Sequence, residues 1–177
     1  DINTQNNDSV IPILSVYSSI WIILGKGHHV MAIKYQVNME EQGRPYPHYW
    51  EVSVGSCHAA TILRADVQEQ LRKARRDIGF KYLRFHGLLD DDMSVVMDGM
   101  IPGMMSRQIF FFNIDRVFDF LLSIGMKPFV ELGFMPEALA SGDKTGFHYK
   151  NNITPPAKYE EWADLMTKLA KHLEARY

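Results

Sequence analysis

The most constraining feature of this 177-residue chain is that, from residue 49 onward, strand-like stretches alternate with helix-like ones. That order builds βαβ units and a parallel sheet, because two parallel neighbours must be joined by a crossover long enough to hold a helix. Three units are expected. Tyr49 to Val54 reads as the first strand, ending at Gly55, and Ala59 to Ile78 as the first helix, with Ile62, Leu71, Ala74 and Ile78 apolar among charges. Gly79 closes that helix, and Phe80 to Phe85 reads as the second strand.

A long loop, His86 to Phe111, follows, holding Asp90, Asp91 and Asp92, five methionines and the Pro102-Gly103 breaker. Compact domains keep loops of that length mainly for binding or lids. Asn113 is expected to cap the second helix, whose stripe is Ile114, Val117, Phe118, Leu121 and Leu122, and Gly125 to end it. Lys127 to Leu132 reads as the third strand, with Pro128 at its start because proline cannot donate to a central ladder. The third helix is expected from about Ala157, with Trp162, Leu165, Met166, Leu169 and Leu173 on one face.

Three such units cannot close a barrel, which needs eight strands and about 250 residues. The sheet is therefore open or the chain incomplete. The alternation by itself supports an α/β fold with a parallel sheet of about three βα units, preceded by a short β-rich segment. The boundaries expected are 1–45 for that segment and 46–177 for the βα units. Val30 to Val37 suits a strand. Ser9 to Gly25 is apolar and near the minimum for crossing a bilayer, but Pro12 and the serines favour buried strands.

The function classes shrink with the charge. A net charge of -2, from 19 basic and 21 acidic side chains spread along the chain, forms no concentrated basic face, so nucleic acid is not an expected partner, nor is a membrane. The single cysteine, Cys57, excludes an internal disulfide or a thiolate cage. Cytoplasmic and secreted locations both stay open.

Ligands of parallel βα folds gather at the carboxyl ends of the strands. Arg84 and His86 lie two apart at the end of the second strand, so both side chains face one side. Each also has a bland reading, a histidine satisfied locally and an arginine paired with a carboxylate. Glu131, interrupting an apolar strand, is the obvious partner for Arg84. Glu137 reads as a solvated helix-start residue and the three aspartates as solvated loop charge, since they lack the spacing of a calcium loop. His28, His29 and His48 have no correctly spaced partners, and His58 beside Cys57 is an equally weak metal or nucleophile signal, so none is assigned a role and no metal is expected. Phe147, His148 and Tyr149 suit either a platform for a sugar ring or a staple for the third helix.

The stretches YWEVSVGSCHA, LRADVQEQL, IGFKYLRFHGLLDDDMSV, FNIDRVFDFLLSIGMKPFVELGFMPEALASG and NNITPPAKYEEWADLM resemble, in order, the start of the catalytic domain of family 39 glycoside hydrolases, most closely the β-xylosidase branch. The resemblance spans about residues 46 to 177 and implies a fold class of α/β, the N-terminal part of a (β/α)8 TIM barrel (46–177), with room for the β-rich segment 1–45 to belong to an accessory β-sandwich. It implies a retaining glycosidase acting on β-xylosides or related xylo-oligosaccharides through two glutamates about 5 Å apart, with no cofactor. Both family glutamates belong to motifs beyond Tyr177, so no catalytic residue is assigned here and the 177 residues alone are expected to be inactive. What the resemblance carries over is a substrate-binding role for His86 and Phe147, the latter shared as a possibility with Tyr149, and a nucleophile-supporting role for Arg84. It allows a homo-oligomeric full-length protein. The alternative is a non-catalytic carbohydrate-binding or regulatory module on the same barrel.

Overall fold

The computed structural model describes residues 45–99 and 106–177. The strand readings at Ser9 to Gly25 and Val30 to Val37, the Pro102-Gly103 turn, and all but the last residue of the expected β-rich segment lie outside them. Residues His48–Tyr177 form one compact unit, and the fold described below is that of this unit.

Three strands, β1 (Ser53–His58), β2 (Tyr82–His86) and a third at Lys127–Val130, pair in parallel in chain order. Each is followed by a helix: α1 (Ala65–Ile78), α2 (Phe112–Ser123) and α3 (Tyr159–Arg176). Between β2 and α2 lies a short antiparallel hairpin, β3 (Val96–Met97) and β4 (Gln108–Ile109), which makes the Lys127–Val130 strand β5. A second hairpin, β6 (Thr145–Gly146) and β7 (Asn151–Asn152), precedes α3. These are the three βα units expected from the alternation.

The pleat decides what each face carries. In β2, Leu83 and Phe85 are buried while Arg84 between them is exposed, as a period of two requires. Leu83 and Phe85 pack with Ile114, Val117 and Leu121 of α2 and with Leu165 and Leu169 of α3, and full burial of each such side chain contributes about 1.5–3 kcal/mol. The opposite face carries Gly55, Arg84 and Phe129 in one lateral row. Phe129 there is 51% exposed and Leu132 57%.

Several boundaries differ from the sequence reading, for local reasons. Tyr49–Glu51 is a 3-10 turn, and the first strand starts at Ser53 and runs through Gly55 to His58. Glycine there does not end the strand, because a Cβ at Gly55 would meet nothing within 4 Å and its φ is not in the left-handed region. The first helix is split: Ala59–Leu63 is a 3-10 turn, Arg64 is extended (φ -77°, ψ 136°), and α1 begins at Ala65. Asn113 is not the cap of α2; Phe111 holds that position, and the Asn113 amide Nδ2 donates to the Met93 carbonyl at 3.1 Å. Leu122 is 43% exposed and Phe120 takes its place in the core.

Other signals match the structure. Gly79 (φ 93°) follows α1 in the left-handed conformation. Gly125 (φ 73°) follows α2, with Met126 N–H donating to the Leu121 carbonyl at 2.9 Å, the pattern of a Schellman-type end. Among the described residues no helix is long and apolar enough to cross a membrane.

Candidate functional site

The site gathers at the carboxyl ends of β1, β2 and β5. His86 ends β2, with Arg84 two residues before it on the same face. Arg84 Nε lies 3.0 Å from Glu131 Oε1, just past the end of β5, so the expected pair forms. Both side chains are more than a third exposed, and such pairs contribute on the order of 0–1 kcal/mol to stability. The pair therefore says more about where the guanidinium is held than about what holds the fold. Among the described residues the two terminal nitrogens of Arg84 make no hydrogen bond, which leaves a fork of N–H donors over the open face of the sheet.

His58 arrives through an irregularity. Gly55 pairs with Arg84, so regular pairing would set Cys57 against His86; a register shift between Gly55 and His58 places His58 there instead. Such a shift re-aims a side chain, as bulges beside functional sites do. His58 is buried, 5% exposed as a residue. Its ring centroid lies 5.9 Å from that of His86 and 4.5 Å from that of Tyr149, at interplanar angles of 27° and 13°.

The β6–β7 hairpin supplies the aromatic wall. Its loop bends sharply, with Phe147 (φ 58°) and Lys150 (φ 57°) both in the left-handed region. Phe147 is 65% exposed and stacks on His86 (5.5 Å, 11°) and on Tyr149 (5.5 Å, 6°). Phe134, after β5, meets both His86 and Phe147 edge-on. The staple reading of Phe147 is thus replaced by an open ring face beside the histidine. Offset and edge-on contacts of this kind each contribute about 0.5–1.5 kcal/mol beyond area burial.

The Tyr149 hydroxyl and His86 Nε2 share a hydrogen bond. Burial, and then the neighbouring Cys57, push the Tyr149 phenol above its ordinary value of 10.0, so it stays protonated. Burial first, and then the charge of His58, hold His86 below its ordinary 6.5. A neutral imidazole that accepts at Nε2 from the phenol carries its proton on Nδ1. In that tautomer Nδ1 is the donor.

The aspartate run is not uniformly solvated, contrary to its sequence reading. Asp90 is 6% exposed, with Oδ2 3.3 Å from His58 Nε2, and Asp92 Oδ2 lies 3.4 Å from His58 Nδ1. Asp91 takes a third role: both its oxygens accept from Glu137 N–H at 3.2 Å, capping the 3-10 turn Glu137–Leu139. Desolvation raises the pKa of Asp91 and of Asp92.

Sequence reasoning missed His58 and undervalued Tyr149. The rule that selected Arg84 and His86, proximity to a carboxyl end of a parallel strand, selects His58 as well once β1 is extended to residue 58. Tyr149 carried no signal of its own beyond its aromatic neighbours. His148 stacks edge-on against Tyr149 and His48 pairs with Glu51 at 2.6 Å, away from the wall.

A family model described as glycosyl hydrolases family 39 matches residues 33–177. A β-xylosidase of Caldicellulosiruptor saccharolyticus is 59% identical over 132 residues, covering 73% of this chain and 26% of that protein. A β-xylosidase of Geobacillus stearothermophilus is 39% identical over 142 residues, covering 80% and 28%. Among solved structures, a family 39 β-xylosidase from Caulobacter crescentus superposes with a TM-score of 0.68 at 35% identity, over 78% of this chain and 30% of that one. A family 39 enzyme from Xanthomonas axonopodis pv. citri gives 0.67 at 32%, over 76% and 26%. The chain thus spans between a quarter and a third of the length of these relatives.

Proposed function

From the premise that this chain belongs to glycosyl hydrolases family 39, we propose that it forms the sugar-binding edge of a retaining glycosidase that hydrolyses β-xylosides or xylo-oligosaccharides. The observation that carries the reading is the wall of His86, Phe147 and Tyr149, an exposed aromatic side chain beside a hydrogen-bonding imidazole, at the carboxyl ends of parallel strands. Sugars offer an apolar face of axial C–H bonds and a rim of hydroxyls, so a ring and a fixed imidazole N–H meet both needs.

In this reading Phe147 receives a face of the glycone and His86 donates from Nδ1 to one of its hydroxyls. Tyr149 acts as a positioning residue, fixing the imidazole's orientation and tautomer. Arg84, steered by Glu131, offers its free terminal N–H groups to the nucleophilic carboxylate, keeping it ionised and aimed at the anomeric carbon. The acid/base and nucleophile are glutamates supplied by the remainder of the enzyme, about 5 Å apart as double displacement requires. The first protonates the departing oxygen while the second forms the glycosyl ester; water then enters with the first acting as base.

The experiment is hydrolysis of an aryl β-D-xyloside by the full-length protein, with the anomeric configuration of the first-formed sugar read by proton NMR. Retention of the β configuration and no turnover by the 177-residue chain alone are expected. Inversion contradicts the mechanism, and saturable sugar binding without hydrolysis by the full-length protein favours a non-catalytic binding module.

A further inference from the structure

The group behind the sugar-facing wall has a geometry that the glycosidase reading does not use. His58 Nε2 is buried and makes no hydrogen bond, although Asp90 Oδ2 lies only 3.3 Å away. Buried polar atoms are nearly always satisfied, so a buried ring nitrogen near a carboxylate but misaligned with it calls for a physical cause. The side chains are strongly withdrawn from water, 6% exposed for His58 and 9% for Asp90. Asp92, on the other side, is 45% exposed and leaves a route from solvent.

Charge adds a second argument. Asp90, Asp91 and Asp92 are consecutive, and among the described residues no lysine or arginine forms an ion pair with any of them. Even a charged His58 would offset one carboxylate at most. A dication would complete the balance where no side chain does.

We propose that His58, Asp90 and Asp92 bind a divalent first-row transition-metal ion. One nitrogen of the ring and one oxygen from each carboxylate lie within 4.8 Å of one another. Bonds of about 2.0–2.1 Å put tetrahedral neighbours roughly 3.3–3.4 Å apart and opposite octahedral ligands about 4.2 Å apart. The 3.3 Å separation of His58 Nε2 and Asp90 Oδ2 already has the first value. Asp92 Oδ2 lies 3.4 Å from the other ring nitrogen, Nδ1, so its side chain, 45% exposed, must swing toward Nε2 to complete the set. One imidazole with two carboxylates suits zinc or manganese; calcium and magnesium prefer oxygen alone. Tyr149 stacked on one face of His58, and Gly87 giving way at its edge, hold the ring in place as outer partners of a ligand do. The ion would brace His58 and, through Tyr149, the orientation of His86.

The test is isothermal titration of chelator-stripped full-length protein with ZnCl2. A site is expected that Asp90→Asn and Asp92→Asn each weaken at least about tenfold, and that His48→Ala, on a histidine remote from the cluster, leaves unchanged. Asp92→Asn alters an exposed side chain and is expected to keep the wild-type circular dichroism, so its loss of binding cannot be laid to unfolding. With Co2+ in place of Zn2+, wild type is expected to show a visible d–d band that Asp92→Asn shifts or abolishes. Absence of zinc uptake, or binding that both aspartate variants leave intact, would overturn the assignment. Because binding is read without substrate, neither result bears on the glycosidase reading.

Discussion

Gly87 lies against the edge of the His58 ring so closely that a Cβ on it would stand 2.3 Å from Cδ2 and 2.7 Å from Nε2. Gly87 also sits at φ +74°, a conformation that costs a residue with a side chain roughly 1–2 kcal/mol before any contact is counted. His58 is buried and cannot swing aside. Gly87→Ala is therefore expected to lower stability by about 2–4 kcal/mol, measured by denaturant unfolding. Gly55→Ala, where the added methyl meets nothing within 4 Å, is expected to cost less than about 1 kcal/mol. Equal effects at the two positions would contradict this account of the packing.

Tyr149→Phe removes the hydroxyl that holds His86 Nε2 and keeps the ring that stacks on His58. Loss of one hydrogen bond that orients a binding group is expected to reduce kcat/KM for an aryl β-xyloside about tenfold in the full-length protein. The melting temperature should hardly move. A purely structural tyrosine would show the reverse, lower stability with normal kinetics.

For Arg84 the expected effect falls on kcat. If its guanidinium supports the nucleophile, Arg84→Met should lower kcat by about a hundredfold with little change in KM, while Glu131→Gln, which alters only the guanidinium's steering, should cost less. Arg84→Lys is not a conservative rescue, because an ammonium cannot present the planar fork. A variant in which KM alone rises would assign Arg84 to ground-state binding.

Arg107 joins the β3–β4 hairpin to the third helix: it forms two bonds to Asp98 at 2.8 and 3.0 Å, one to Glu161, and one to the Ala138 carbonyl at 2.7 Å. The bond to Arg107 holds the Asp98 carboxyl below its ordinary 3.8, and Lys158 and then Arg107 hold Glu161 below its ordinary 4.5. Depressed carboxylates contribute stability that is fully present above the unfolded values and is lost as pH falls through the folded ones. Arg107→Met should accordingly melt below wild type at pH 7, and the gap should narrow as pH drops below about 4. Melting curves across that range check it; a gap independent of pH would place the effect in packing.

The βα order was legible in the sequence because periodicity and the glycine signals at Gly79 and Gly125 agree with each other. Arg84 facing Glu131 was legible for a similar reason, since pleat and neighbouring strands leave few other partners for a carboxylate at the end of the adjoining strand. What failed was the end of β1. Gly55 looked like a terminator, yet glycine also occurs inside strands, and no local signal distinguishes the two. That one error hid His58, whose position beside His86, 28 positions further along the chain, depends on a register shift. The pairing of Asp90 with His58 was hidden with it, since the burial of a loop carboxylate is set by the whole fold. Membership of the family was visible in the motifs themselves.

The central claim is that His86 meets the sugar, and kcat/KM for an aryl β-D-xyloside measured on full-length His86→Ala tests it most directly. The account predicts a loss of at least about a hundredfold in a protein that still folds, since His86 ends its strand with its ring on the face opposite the packed core, with a melting temperature lowered by the lost ring contacts to Phe134, Phe147 and Tyr149. Kinetics indistinguishable from wild type would contradict it.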